Sequence, residues 1–261
     1  MNSSVTKPAQ PKSLPKRVFN NQPIPGKKFT QPQSQYDNVP IAPFRQLLYA
    51  NTASGKTTLI LNQCLDLYRD VFERIIVFSH SWDTDSTWDP LKKYMEEKEW
   101  NIKECGFSTY DDAVLAKIID EQAQVTRYLK SKGSKCMGIL IILDDMMDSR
   151  PAMRGKQIEI LYARGRHIFC SVITSLQSVR KVSTVVRQQS EHILCWRLRS
   201  SGDLDSFLEE NSAIVPMQTL QEIYWKAVSK PYGYLWLNKT ATDDDDLFHP
   251  DGLATPGEKI T

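Results

Sequence analysis

Long apolar runs are missing from this chain of 261 residues, although 41% of its residues are hydrophobic. No stretch of about eighteen apolar residues occurs, so we expect no membrane-spanning helix. The opening segment, MNSSVTKPAQPK, lacks the apolar core of a secretory signal. We therefore expect an intracellular globular protein that is not secreted.

Paired cysteines are also missing. The five cysteines are scattered singly, without a CxxC pair: Cys64, Cys105, Cys136, Cys170 and Cys195. An odd, dispersed set is typical of reduced thiols inside a cell and argues against a zinc site. Net charge is only +2, so overall charge neither supports nor excludes binding to nucleic acid.

Local composition divides the chain into three parts. Residues 1–40 carry six lysines and arginines against one acid, Asp37, and are rich in Pro, Gln, Asn and Ser. We predict a disordered basic arm, which is either a solvated tail or binds DNA or a partner. Residues 239–261 include Asp243–Asp246 and are predicted to form an acidic flexible tail. The predicted folded domain is 41–238.

The domain alternates short β-rich runs with longer helical patterns, which is typical of an α/β fold with a mostly parallel central sheet flanked by helices. The predicted strands are 45–50, 74–80, 137–148, 168–177, 192–199 and 232–238, with NIKECGF (101–107) as a further candidate. The predicted helices are 57–72, a short polar helix broken near Pro90, 111–130, a helix closing at Gly165, 203–211 and 216–228.

The segment LLYANTASGKTTLILN (47–62) matches a phosphate-binding loop, or P-loop, at Gly55, Lys56 and Thr57. Ala50 stands where the pattern has its first glycine. If that position needs a positive φ, alanine costs about 1–2 kcal/mol, and otherwise the change costs little.

The chemistry of such a loop assigns a role to each of its residues. Backbone N–H groups would bind phosphate, the lysine would reach the β- and γ-phosphates of ATP, and Thr57 would hold Mg²⁺. The predicted nucleotide-binding residues are Ala50, Asn51, Thr52, Ala53, Ser54, Gly55, Lys56, Thr57 and Thr58.

A second motif is needed, because a GKT triplet alone arises by chance in roughly one chain of this length in ten. That motif is ILIILDD (139–145), a buried strand that ends in two aspartates. Asp144 is placed to hold the metal with Thr57, and Asp145 to act on the attacking water. Two aspartates can also simply end a strand and cap a turn. Gln177, at the end of the following strand, is predicted to contact the γ-phosphate or orient water.

Cations follow these strands. Arg164 and Arg166 cluster at a predicted helix end, where they can merely complement the helix dipole. Arg166 and Arg187 are the two candidates for an arginine finger, a residue that completes the nucleotide site of a neighbouring subunit.

The P-loop, IILDD, ARGRHIFCSVITSLQ and VSTVVRQQSEHIL together resemble the genome-packaging ATPases of poxviruses and other large DNA viruses, virophages and Polinton-type elements, within the FtsK/HerA superfamily. The family has an aspartate pair, a G-R-H segment, a glutamine that ends the next strand and a following arginine. In this chain these correspond to Asp144 and Asp145, Gly165–His167, Gln177 and Arg187. The resemblance covers about 44–200.

This resemblance implies a RecA-like core, assembly as a hexameric ring around double-stranded DNA, and ATP bound between subunits with an arginine from the neighbour. ATP hydrolysis would drive DNA into a preformed capsid at a cytoplasmic assembly site. Capsid or portal-vertex proteins would be partners, and the virion a second location. Two alternatives stay open at this point, namely a nucleotide or nucleoside kinase and a nucleotide-binding structural protein of the virion with little hydrolysis.

Overall fold

The structure is a computed structural model that describes residues 26–213, 215–243 and 246–250. The strands are β1 (Arg45–Tyr49), β2 (Arg74–Ser79), β3 (Gly106–Phe107), β4 (Ile139–Asp144), β5 (Cys170–Leu176), β6 (His192–Trp196), β7 (Tyr234–Asn238) and β8 (Phe248–His249). The helices are α1 (Lys56–Asn62), α2 (Asp89–Glu97), α3 (Ile102–Cys105), α4 (Asp112–Lys132), α5 (Arg150–Arg154), α6 (Lys156–Arg164), α7 (Thr184–Gln189), α8 (Ser201–Asn211) and α9 (Met217–Ala227).

The described strands form one sheet of mostly parallel strands in the order β3-β2-β4-β5-β1-β6-β7-β8. Each neighbouring pair from β3 to β6 in this order is parallel. Among the described strands, only the pairs β6–β7 and β7–β8 are antiparallel. The predicted α/β architecture, with a mostly parallel sheet flanked by helices, is confirmed. Parallel strands place their carboxyl ends at one edge, and this edge carries the site described below.

The central strands β1, β4, β5 and β6 are buried along their whole length because helices cover both faces of the sheet. In β4, Ile141 packs on one face with Leu115 of α4 and Leu161 of α6. Leu140 and Ile142 belong to the opposite core, with residues of α1 and α2. All of β4, including its terminal aspartate, is buried.

Three local predictions differ from the structure. The helix predicted over 57–72 ends as α1 at Asn62 and continues only as a π-helical turn, Gln63–Leu67. Pro90 does not break a helix but lies in the first turn of α2, where its missing N–H costs no hydrogen bond. The run 101–107 is mainly α3, with a strand of only two residues.

Part of the predicted basic arm is attached to the domain. The side chain of Gln33 exchanges two hydrogen bonds with the backbone of Ala42, at 2.6 and 2.8 Å. Ser34 Oγ donates to the carbonyl of Leu67 at 2.6 Å. These contacts offset the low apolar content of the segment, so the ordered domain begins before residue 41. Residues 1–25 lie outside the described residues, and disorder there stays a prediction.

The predicted acidic tail also differs in its described part. Phe248 and His249 form β8 against β7, and the ring of His249 stacks on Trp236 at 4.3 Å. Residues 251–261 lie outside the described residues. Within the described ranges, no helix combines the length and apolar character needed to cross a membrane.

A buried histidine makes the stability of this fold depend on pH. His192 accepts a hydrogen bond at Nδ1 from Trp236 Nε1 at 3.4 Å. Burial lowers its pKa to about 3, and the positive charges of Arg45 and His249 act in the same direction. The unfolded chain takes up this proton near pH 6.5, so the stabilisation present above that pH is lost as the pH falls toward 3.

We expect His192 to lower the free energy of unfolding by about 2 kcal/mol as the pH falls from 7 to 5. Urea unfolding at both pH values measures this loss in the wild type and in the neutral variant His192→Gln. The variant should lose less stability over this interval, because all other titrating groups are shared. An equal loss in the two proteins would contradict this role of His192.

Candidate functional site

The loop between β1 and α1 has the backbone shape that phosphate binding requires. Ala53 and Gly55 both have left-handed backbones, with φ of 61° and 86°, and α1 begins directly afterwards at Lys56. Ser54 Oγ donates to the carbonyl of Asn51 at 2.7 Å and closes the turn. Successive N–H groups of such a curled loop can converge on an anion.

Ala50 is not the strained position of this loop. Its φ is not positive, its side chain is fully buried, and its N–H donates to the carbonyl of Leu176 at 2.9 Å, which ties the end of β1 to β5. The departure from the P-loop pattern therefore has little conformational cost. The positive φ is found instead at Ala53 and at Gly55.

Lys56 is a buried cation at the first position of α1. Its side chain is 8% exposed, and Nζ lies 3.1 Å from Asp145 Oδ1. Nζ nevertheless makes no hydrogen bond of good geometry with any described residue. A buried ammonium group in this condition is suited to receive an anionic ligand.

Asp144 and Thr57 meet at the end of β4. Thr57 Oγ1 donates to Asp144 Oδ2 at 3.2 Å, and Ser175 Oγ donates to the other carboxylate oxygen. Burial raises the pKa of Asp144, while the hydrogen bond from Ser175 and the charge of Lys56 lower it. A hydroxyl and a carboxylate side by side are oxygen donors of the kind that Mg²⁺ prefers, so these residues fit the metal.

Asp145 and Gln177 are joined across two strand ends. Asp145 has a φ of 56°, and its N–H donates to Ser175 Oγ at 3.2 Å. Gln177 Nε2 lies 2.8 and 2.9 Å from the two oxygens of the Asp145 carboxylate. The five residues predicted as the chemical centre, which are Lys56, Thr57, Asp144, Asp145 and Gln177, thus converge at one edge of the sheet.

The two arginine candidates do not join this cluster within the subunit. Arg166 is exposed on the 3₁₀ turn Gly165–Ile168, which precedes the amino end of β5. Arg187 lies in α7, where its Nε donates to both carboxylate oxygens of Glu210 at 2.9 and 3.0 Å. Neither arginine lines the cavities around the loop.

Two cavities flank the loop and share Thr52–Ser54. The first, of about 530 Å³, extends over Lys56 and the aspartates to the end of β2. The second, of about 820 Å³, extends toward the segments after β6 and α9. Its aromatic and cationic lining includes Trp196, Arg197, Trp225 and Tyr232.

Sequence reasoning missed His80, which lines the first cavity. Its Nε2 lies 2.7 Å from Asp148 Oδ1 and its Nδ1 3.0 Å from the carbonyl of Ser108. His80 directly follows β2, and β2 pairs with β4 so that Ser79 faces Asp144. Asp144 was identified as a polar residue at the carboxyl end of a buried strand, and the same reasoning applies to His80.

Tyr232 of the second cavity was also missed. Its side chain is 73% exposed, its φ is 60°, and its Cδ1 lies 3.5 Å from the place that a Cβ on Gly55 would occupy. No sequence signal distinguishes Tyr232, because its approach to the loop depends on the path of the chain between α9 and β7.

The two loop alanines form a matched pair for a stability test. We expect Ala50→Gly to lower the free energy of unfolding by about 1–2 kcal/mol, since it removes a buried methyl group and adds backbone freedom. We expect Ala53→Gly to raise it by about 0.5–1 kcal/mol, because glycine relieves the left-handed backbone. Urea unfolding measures both. A gain in stability for Ala50→Gly would show that the strained position has been misassigned.

Comparison with known proteins identifies a family model and a viral relative that match this chain. A family model described as "Poxvirus A32 protein" matches residues 31–224. Uncharacterized protein 015R of Frog virus 3 (isolate Goorha) is 21% identical over 192 residues, which are 74% of this chain and 55% of that protein. The chain thus spans about half the length of this curated relative.

Solved structures share the fold at low identity. The genome packaging NTPase B204 of Sulfolobus turreted icosahedral virus 2, in complex with AMP, is 15% identical with a TM-score of 0.56 and covers 81% of this chain and 98% of its own. The DNA-packaging ATPase B204 of Sulfolobus turreted icosahedral virus is 15% identical with a TM-score of 0.54 over 80% and 96% of the two chains. These likenesses confirm the P-loop NTPase fold. Since the family model matches most of the domain, the chain belongs to the poxvirus A32 protein family.

Proposed function

We propose that this protein is an ATPase that drives double-stranded DNA into a viral capsid. The observation that carries the proposal is the convergence of Lys56, Asp145 and Gln177, which come from α1 and from the ends of β4 and β5, beside a P-loop. Membership of the poxvirus A32 family supports the proposal. The B204 proteins, described as a genome packaging NTPase and a DNA-packaging ATPase, share the fold and support it as well.

The loop residues Ala50–Thr58 bind the triphosphate in this proposal. Backbone N–H groups of the loop contact phosphate oxygens, and Lys56 supplies positive charge to the β- and γ-phosphates. Because Lys56 Nζ has only a poorly aligned ion pair with Asp145, a phosphate oxygen competes well for it. Arrival of the nucleotide then leaves the Asp145 carboxylate free for the attacking water.

Asp145 acts as the general base, and Gln177 positions it. The carboxylate accepts a proton from a water molecule as the water oxygen forms a bond to the γ-phosphorus. The bond between the γ-phosphorus and the bridging oxygen breaks, which gives ADP and inorganic phosphate. Two hydrogen bonds from Gln177 Nε2 fix the orientation of the carboxylate.

Thr57 and Asp144 would hold Mg²⁺. The carboxyl groups of Asp144 and Asp145 lie beside the single ammonium group of Lys56, so the cluster has room for a further cation. When bound, the metal supplies charge neutralisation for the β- and γ-phosphates.

The base of the nucleotide occupies the cavity of about 820 Å³ in this proposal. That cavity shares Thr52–Ser54 with the phosphate side, and it presents the exposed rings of Trp225 and Tyr232. Aromatic faces of this kind stack on nucleobases. A bulky residue with a positive φ, such as Tyr232, is also typical of a functional constraint.

The proposed assembly is a homo-oligomeric ring, a hexamer, around double-stranded DNA, at a cytoplasmic assembly site and in contact with capsid or portal-vertex proteins. Arg166 is the better of the two finger candidates. Its guanidinium has no hydrogen bond or ion pair with the residues that the structure describes, whereas Arg187 is held by Glu210. A residue that reaches into a neighbour needs such freedom.

We expect Asp145→Asn to bind ATP at least as tightly as the wild type but to hydrolyse it at least about tenfold more slowly, because the amide cannot accept the proton from water. Isothermal titration with ATP and phosphate release measure the two properties. The matched control is Asp205→Asn, an exposed aspartate on α8, which should keep normal turnover.

Normal turnover in Asp145→Asn would remove this residue from the mechanism. Two further outcomes favour the alternative functions. Phosphoryl transfer to a nucleoside, without stimulation of hydrolysis by DNA, would indicate a kinase. Turnover that is unchanged in Lys56→Ala would indicate a structural nucleotide-binding protein.

We expect Tyr232→Ala to weaken ATP binding at least about fivefold, since one aromatic–base stack contributes roughly 1–3 kcal/mol. Binding of inorganic tripolyphosphate, which has no base, should stay within twofold of wild type. Tyr232→Phe keeps the ring and serves as the matched control. Equal losses for ATP and tripolyphosphate would show that Tyr232 supports the loop and does not bind the base.

A further inference from the structure

Four cations gather on two connecting segments at the carboxyl edge of the sheet, one after β4 and one after β5. Arg150 and Arg154 lie on α5, which follows β4, and Arg180 and Lys181 lie between β5 and α7. All four are exposed. We call this group the basic surface.

Carboxylates do not neutralise the basic surface. Within residues 26–213, 215–243 and 246–250, none of its four members forms an ion pair. Elsewhere in the same ranges, Arg45 and Arg187 each pair closely with a glutamate. An unpaired cluster of like charges repels itself, so its persistence on one surface favours an anionic partner.

Two members of the basic surface are held in place by neutral groups. Arg154 donates from Nε to the carbonyl of Lys181 at 3.0 Å and from Nη2 to that of Arg180 at 2.6 Å. Arg180 in turn donates to Ser206 Oγ at 2.8 Å and to the carbonyl of Gly202 at 2.6 Å. These bonds orient the two guanidinium groups without cancelling their charge.

The other two members are free to reach a ligand. The side chains of Arg150 and Lys181 make no hydrogen bond or ion pair with the described residues, and both line a cavity of about 480 Å³. The acid in that lining, Asp148, is engaged by His80. The hydrogen bond with His80 holds the pKa of Asp148 below its usual value.

The basic surface is connected to the catalytic cluster through the backbone. Asp145 lies five residues before Arg150, and Gln177 lies three residues before Arg180. The N–H of Gln177 contacts Met147 Sδ at 3.1 Å and joins the two connecting segments. A shift of Asp145 or Gln177 during hydrolysis would therefore move the cations on both connecting segments.

We infer that the basic surface binds the phosphate backbone of double-stranded DNA, and this inference rests on the proposed packaging function. Cationic side chains contact phosphates without regard to sequence, as a packaging motor requires. The cavity at its centre has no aromatic lining residue. Stacking platforms for unpaired bases are thus missing from this lining, which favours a duplex over a single strand.

The test uses the full-length double variant Arg150→Gln/Lys181→Gln. Binding to a random-sequence duplex is measured by fluorescence anisotropy over a series of KCl concentrations. We expect at least about tenfold weaker binding at low salt. The slope of log K against log [KCl] should become shallower by about 2, which corresponds to two lost phosphate contacts.

Two companion variants separate charge from folding. Lys93→Gln/Lys103→Gln removes two exposed cations on α2 and α3 and should bind DNA like the wild type. Arg150→Lys/Lys181→Arg keeps both charges and should keep most of the affinity. The thermal unfolding midpoint of each variant checks that it is folded.

Three outcomes would overturn the inference. The first is that Arg150→Gln/Lys181→Gln binds the duplex as tightly as the control Lys93→Gln/Lys103→Gln does. The second is a stronger loss for single-stranded DNA than for the duplex. The third is a large loss of ATP turnover in the absence of DNA, which would assign these cations to the nucleotide site of a neighbouring subunit.

Failure of the proposed function gives a different result. If the wild type hydrolyses ATP but binds no duplex, the DNA part of the proposed function fails together with the inference. If the wild type binds duplex and the double variant binds it equally well, only the inference fails.

Discussion

The parallel pairing of β5 with both β1 and β4 is the constraint on which the rest of this site depends. β1 leads into the phosphate-binding loop, β4 ends in Asp144, and β5 leads to Gln177. Because parallel strands end at a common edge, three segments that are distant in the sequence deliver their polar groups to one place. Apolar packing on both faces of the sheet holds this alignment.

The same arrangement concentrates charge in a place that water hardly reaches. Lys56 and Asp144 are almost completely buried, and buried ions are costly unless they are paired and hydrogen-bonded. Asp144 is satisfied by Thr57 and by Ser175, whereas Lys56 has only an imperfect ion pair. Because Lys56 lacks a well-aligned partner, it is available for a ligand, while the hydrogen bonds of Asp144 keep that side chain fixed.

Much of the fold and the centre of the site were predictable from local sequence. β4 was recognisable because five consecutive apolar residues precede Asp144, and all six are buried in the structure. Asp144, Asp145 and Gln177 were predictable because polar residues at the carboxyl ends of buried parallel strands meet at one edge of the sheet. Elsewhere tertiary contacts overrode local composition. Gln33 and Ser34, in a segment that composition predicts to be disordered, bind backbone groups of the domain.

By itself, the sequence determined most of the strands and helices along the chain, the phosphate-binding loop and the polar residues that close β4 and β5, because these depend on short-range patterns. Only the tertiary structure decided that Ala50 is unstrained while Ala53 takes the left-handed backbone, and that Arg187 is tied to Glu210. It also decided that Tyr232 approaches Gly55 and that Arg150 and Lys181 share one surface. These outcomes depend on how distant segments meet, which no local pattern encodes.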